Sequence, residues 1–302
     1  MILRWIRTET NKGLRFDCHS STQAIKYGIS QNISKEELAE RKCMLKEIAT
    51  TSIWSIDLVL LLHKVLQSPL NLHDHQLSIL FCSTNFGVDE SYSNFSYYKS
   101  TFDRDKRRVR NRFQLAKQLK IPMFSIPPCS QNNIRDRIMN TDSRVGCGLS
   151  LEYVINLVAM KDCVAIALID NTILLHPSLF LQQQQKKKSF HKSDTDDFEN
   201  IDNIYNSTNK IDMSYSGHYI ILIGISKHAD DIERAVSNQN QDQNQSQTSD
   251  SVTANEENYP PYCLVIKNPG IDQAVDFIAP HHFELAWRAE GTDQDIIFLR
   301  KC

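Results

Sequence analysis

Glycine is scarce in this sequence, at nine residues in 302. So low a count argues against large glycine-rich phosphate loops, and neither a P-loop nor a GxGxxG motif occurs. There is no CxxC pair either. The eight cysteines are scattered, so neither a disulfide framework nor a paired-thiolate zinc site is written into the spacing. No long apolar run exists: Leu58 to Leu62, like Cys163 to Ile169, is far too short to span a bilayer. The opening stretch MILRWIRTETNKGLRFD is too polar for a secretory leader, its apolar run being broken by Arg4 and Arg7. Reduced thiols in cytosol or nucleus are therefore expected. An excess of one charge is missing too. With a net charge of −2 and a pI near 6.5, general binding to nucleic acid or to a membrane surface is not expected.

What is present is enough for a packed core: 41% of residues are hydrophobic and 23% charged. Two polar stretches interrupt it, at 182–212 (QQQQKKKSFHKSDTDDFENIDNIYNSTNK) and at 228–258, the second rich in Asn and Gln. Neither holds enough apolar side chains to offset the entropy of ordering, so both are expected to be disordered insertions. Each is flanked by strand-like sequence. The expectation is one domain over 1–302, about 240 residues without the insertions, which a single core can serve.

The rest alternates helix and strand. Ser34 and Glu37 form a capping box before Leu38, Met44 and Ile48. Ile56 to Leu66 is apolar nearly all round and reads as a buried helix. LSILFC (77–82) reads as a core strand. A helix capped by Asp103 turns Val109, Phe113 and Ala116 inward. IPMFSI follows as a short strand. Ser150 caps LEYVINLVAM, and CVAIALI (163–169) is a buried strand. HYIILIGI (218–225) and YCLVIKN (262–268) complete the set as an antiparallel hairpin with a long loop.

That hairpin carries the chemistry. His218 begins one strand and Asn268 ends the other, so antiparallel pairing sets them side by side at one sheet edge. An Asn beside a His fixes its tautomer and ring orientation, as the third group of a catalytic triad does. The candidate nucleophile is Cys18, just before a plausible helix, SSTQAIKYG. A helix N-terminus favours the thiolate. The order Cys, His, Asn is that of papain-like enzymes. Each residue alone has a blander reading: a hydrogen-bonding His at a strand start, an Asn in a Pro-Gly turn, an inert small Cys. Order and adjacency raise the three together.

Six blocks carry a resemblance: SIWSIDLVLLLHKV, FGVDESYSNFSYYKSTFDRDKRRVRNRFQLAK, VAIALIDN, GHYIILIGI, IKNPG and FELAWRAEGTDQDIIFL. In order and character they resemble the guanylyl-cyclase-domain-containing proteins, the plant soluble guanylyl cyclase among them, from about residue 50 to the end. That family is in turn similar to papain-like bacteriocin-processing cysteine peptidases. The resemblance implies a papain-like α/β fold, an antiparallel sheet packed on helices, with Cys18, His218 and Asn268 in the catalytic positions. Three positions depart from the family pattern. Phe16-Asp17-Cys18-His19 stands for Trp-Asp-Cys-Gly, and Lys12 stands for a Gln that would donate to an oxyanion.

The family name also implies conversion of GTP to cyclic GMP, with GTP and Mg or Mn as substrate and cofactor. A cyclase needs carboxylates for metal and cations for the triphosphate. Asp293 and Asp295 could ligate a metal, though acids before a final strand are more often solvated. Arg104, Lys106, Arg107, Arg108, Arg110 and Arg112 could contact phosphate, though the wet face of a helix explains them as well. His73-Asp74-His75 and His281-His282 lack further ligands and read as loop residues. Three functions stay open: thiol-dependent acyl transfer on a peptide or protein substrate, without cofactor or metal; guanylyl cyclase activity; and an inactive binding domain.

Overall fold

In the computed structural model, the residues described are 53–67, 77–94, 101–127, 149–160, 162–177, 215–240, 261–269 and 275–301. Cys18, the Ser34 capping box, His73-Asp74-His75 and the 182–212 insertion all lie outside them.

Among the described residues there are seven strands and six α-helices. The strands are β1 (Leu77–Ser83), β2 (Met123–Ser125), β3 (Cys163–Asp170), β4 (Gly217–Ser226), β5 (Cys263–Lys267), β6 (Asp276–Ile278) and β7 (Ile296–Lys301). They form one sheet in the order β2-β1-β7-β3-β4-β5-β6. All neighbours are antiparallel except β1 and β2, which are parallel. The all-antiparallel expectation is corrected there. The chain leaves β1, runs through a helix and returns on the same heading, and a crossover of that kind delivers a parallel strand.

Helices cover both faces. Strands β1, β3 and β7 are near-continuous runs of Val, Ile, Leu, Ala and Phe because both of their faces are buried. One face packs Ala165, Ala167, Ile169, Ile220, Leu222 and Ile296 against α3 (Leu151–Ala159), α4 (Asn171–Leu175) and α6 (Pro280–Trp287). The other packs Ile79, Phe81, Ile166, Ile221, Ile297 and Leu299 against α1 (Ser55–Gln67) and α2 (Phe102–Gln118). Every residue from Ser55 to Leu62 is buried, as an all-round apolar helix requires. Ser150 caps α3 by accepting from the Tyr153 amide at 3.1 Å. Helix α2 turns Val109, Phe113 and Ala116 inward as its spacing predicts, but Thr101, not Asp103, stands at its N-cap.

Two further expectations are corrected. The basic run on α2 is not uniformly wet. Arg108 and Arg112 pair with the buried Asp57 of α1, Arg112 at 3.4 Å, and so tie the two helices together. The second polar insertion, expected to be disordered over 228–258, begins with helix α5 (Ala229–Asn240) against β5 and β6. Ile232 and Ala235, three apart, give it an inward face, and Ala235 is buried. Asp230 and Asp231 in its first turn suit the positive helix end. Composition averaged over the Asn/Gln tract hides that short pattern. No helix among the described residues is long and apolar enough to cross a membrane.

Candidate functional site

One end of the sheet gathers the buried Asp170, Asn268 and Asp295. The ends of β1, β3 and β5 and the starts of β4 and β7 all meet there. His218 is the second residue of β4 and Asn268 follows the last residue of β5. His218 Nε2 lies 2.7 Å from Asn268 Oδ1. The adjacency expected from strand order is therefore present.

A bulge sets that geometry. From Ser226–Cys263 to Gly224–Val265 the strands run in one register, and between Leu222 and Gly224 strand β4 carries one extra residue. Without it, Asn268 would fall opposite Ile221, whose side chain faces α1 and α2. The extra residue moves Asn268 opposite Ile220, on the face that His218 also occupies. His218 then reaches Asn268 on the diagonal, within range of a long side chain.

Asp170 fixes the start of β4. It ends β3 opposite Gly217. Its Oδ1 accepts from the Thr172 amide at 2.9 Å, capping α4, and from the Ser216 amide at 3.3 Å. The Asn171 amide donates to the Ser216 carbonyl at 2.8 Å. Burial raises the Asp170 pKa, while its backbone donors lower it. Sequence reasoning missed this residue. Its signal is an Asp between a buried strand and a short helix, an ordinary N-cap pattern.

Chemically, Asn268 Oδ1 is an acceptor, so His218 Nε2 carries the proton of that bond. In the neutral ring the second nitrogen, Nδ1, then has its lone pair free to take a proton from a nucleophile. Asn268 is buried and His218 half-buried. Orientation is thus held from the inside while the ring keeps access to solvent. The described thiols offer no nucleophile. Burial pushes Cys82 up to about 12, and Cys163 and Cys263 up to about 11.

Asp293 and Asp295 lie at the same sheet end, and the reading of them as solvated turn residues is corrected. Tyr92 donates to Asp293 Oδ1 at 2.6 Å. The Thr84 amide and hydroxyl both donate to the Asp293 carbonyl at 2.9 Å. Burial, and secondarily the charge of Asp89, raise the Asp293 pKa to about 6. Asp295 is buried below the start of α1, facing the Ser55 and Ser83 hydroxyls. Burial and the neighbouring Asp293 raise its pKa well above the usual range. Gly291 (φ 94°), Asp293 (φ 50°) and Gln294 (φ 51°) hold left-handed conformations in the loop before β7, a local strain that its many hydrogen bonds offset.

A cleft of about 350 Å³ opens beside Asp293, with Thr84, Asp89, Tyr92, Arg288 and Glu290 in its walls. Arg288 is committed internally, to Glu284, Gln294 and the Leu149 carbonyl, at 2.9, 3.1 and 2.7 Å. His281 and His282 belong to helix α6, not to a loop, and burial lowers the His282 pKa to about 3. No group of three or more His, Cys, Asp or Glu among the described residues is placed to hold a metal ion.

A family model described as Guanylylate cyclase matches residues 11–299 of the chain. No solved structure matches it.

Proposed function

The chain belongs to the Guanylylate cyclase family, and within that family we propose that it carries a papain-like thiol site acting on a peptide or isopeptide-like acyl group. Cys18 is the nucleophile, His218 the general base and acid, and Asn268 the residue that orients the imidazole. The observation that carries this reading is the 2.7 Å contact between His218 Nε2 and Asn268 Oδ1, which leaves Nδ1 for the thiol. Proton transfer from Cys18 Sγ to Nδ1 gives a thiolate and an imidazolium. The thiolate attacks the acyl carbon. The imidazolium returns its proton to the departing amine, leaving a thioester, which water or a second amine then cleaves. Lys12 stands where a Gln would stabilise the oxyanion. A site short of one such donor loses roughly 10²–10³ in rate, so slow turnover is expected.

The family description favours a second reading, conversion of GTP to cyclic GMP with Mg or Mn. The site chemistry lends it less support. In the cleft beside Asp293 the one cation among the described residues, Arg288, is committed to internal partners, and burial disfavours the doubly ionised Asp293–Asp295 pair that would hold a metal ion. The third reading is a binding domain without turnover.

Iodoacetamide alkylation at pH 6, followed by peptide mass spectrometry, separates them. Cys18 is expected to react at least ten times faster than Cys82, Cys163 and Cys263, whose raised pKa values keep them as thiols. His218→Ala should remove most of that advantage. Asn268→Ala should remove less, since orientation is lost but the imidazole stays. A Cys18 rate indifferent to His218→Ala sinks the thiol reading. Cyclic GMP formation abolished by Asp293→Ala with Asp295→Ala, and untouched by Cys18→Ala, would establish the cyclase instead.

A further inference from the structure

Helix α2 presents an unbalanced positive face. Its buried side is Phe102, Asp105, Val109, Phe113 and Ala116. On the opposite side Arg107, Arg110 and Lys117 are exposed, and Lys120 continues the row just past the helix end. Other cations of this helix have partners: Lys106 pairs with Glu90, and Arg108 and Arg112 with Asp57. Among the described residues, Arg107, Arg110, Lys117 and Lys120 pair with no carboxylate. Yet acids outnumber bases in the chain, 36 to 34. Lys120 also sits at φ 55°. A glycine would hold that left-handed position at lower cost, so the lysine stands there against local preference.

From this geometry we infer that the outer face of α2 docks an acidic segment of a partner protein. The four cations are strung over roughly 20 Å of helix and its first following turn, at about 1.5 Å per residue. That spread suits an extended polyanion rather than one phosphate, which needs convergent donors. Leu115 and Leu119, 37% and 42% exposed, lie about 80° or more round the helix from the cations, so charge alone carries the contact. A nucleic acid strand fits less well, because both aromatic residues of the helix, Phe102 and Phe113, are buried and no stacking platform is offered. A lipid surface fits less well too. The crest of the face is held by Arg107, Asn111 and Gln114, all exposed, while the leucines lie to one side where they cannot lead into a bilayer.

The test uses the full chain and three fluorescent probes: a peptide of about 16 Glu residues, a single-stranded oligonucleotide, and phosphatidylserine vesicles. Anisotropy or co-sedimentation should show the acidic peptide binding tightest. Arg107→Gln with Arg110→Gln and Lys117→Gln should weaken it at least ten-fold. Leu115→Ser with Leu119→Ser should leave it unchanged. Far-ultraviolet circular dichroism and the melting temperature should stay unchanged, since all five side chains are exposed. Tighter binding of the oligonucleotide or the vesicles, peptide binding unmoved by the cation substitutions, or peptide binding weakened as much by the leucine pair, overturns the inference.

Discussion

The end of the sheet carries two polar clusters on opposite faces, and they solve opposite problems. His218 and Asn268 lie on the face shared with α3, α4 and α6, half-buried and buried respectively, joined by one hydrogen bond. Asp293 and Asp295 lie only two strands away, at the start of β7. Asp295 is on the α1 face, buried, beside a second carboxyl. The first cluster costs little to maintain and keeps a nitrogen lone pair accessible. The second is expensive, because two carboxyls in one low-dielectric place disfavour ionisation. Polarity and position at the strand ends are therefore poor guides to chemistry. What separates the clusters is whether the reactive atom is left with an open partner.

The largest effect that would test this contrast is on Asp170. Asp170→Ala removes the acceptor for the Thr172 and Ser216 amides together. The loss of a cap and a buried partner is expected to cost about 2–3 kcal/mol by chemical denaturation. It should also slow Cys18 alkylation several-fold by loosening the start of β4. Asp170→Asn retains the acceptor oxygen and should restore most of both. A rate unaffected by Asp170→Ala would mean that β4 is held without it.

How far these clusters can be read from the sequence differs as much as they do. The His218–Asn268 pair is legible because it needs one assumption, antiparallel pairing of two strong β-runs. The bulge at Leu222–Gly224 that makes the pairing work is not legible, since only the observed register reveals it. Strands β1, β3, β4 and β5 announce themselves by unbroken β-branched and aliphatic residues. The placement of β7 between β1 and β3 does not, because it depends on contacts about 130 to 220 residues apart in sequence. Asp295 looks solvated because its burial comes from Ser55, 240 residues earlier, at the start of α1. Helix α5 is hidden by the composition around it, and with Ala235 buried beneath it, deleting Ala229–Asn240 is expected to destabilise the domain, not to be silent.

A smaller effect, with a defined sign, belongs to Asp295. Its folded pKa is raised, so between the unfolded value near 3.8 and the folded value the native state holds a proton that the unfolded chain has released. The unfolded state then binds fewer protons, and stability falls as pH rises through that window. Asp293 adds to the same slope between 3.8 and about 6. Asp295→Asn should remove its share, flattening the decline and raising stability at pH 7–8 by on the order of 1–2 kcal/mol. Urea melts from pH 4 to pH 8 give the measurement. A variant as steeply pH-dependent as the parent would show that the carboxyl stays ionised in the fold.

The smallest expected effect comes from Tyr92, and its sign is the sharpest check on the buried cluster. The Tyr92 hydroxyl donates to Asp293 Oδ1 at 2.6 Å, and that bond favours the charged carboxylate, holding the Asp293 pKa lower than burial alone would. Tyr92→Phe keeps the ring against Trp54, whose centroid is 6.4 Å away, and removes only the donor. The loss should cost about 1 kcal/mol at pH 7, as for a hydrogen bond to a charged or partly charged group. At pH 4 the cost should shrink, because Asp293 is then mostly protonated in the folded state and its hydroxyl can seek another acceptor. Without the donor, the folded pKa of Asp293 climbs above about 6, so the decline in stability with rising pH should extend to higher pH than in the parent. A cost equal at pH 4 and pH 7 would make Tyr92 a packing residue and leave Asp293 titrating independently of it. A cost larger at pH 4 would reverse the sign: the hydroxyl would then stabilise the protonated carboxyl, and the folded pKa of Asp293 would fall without it.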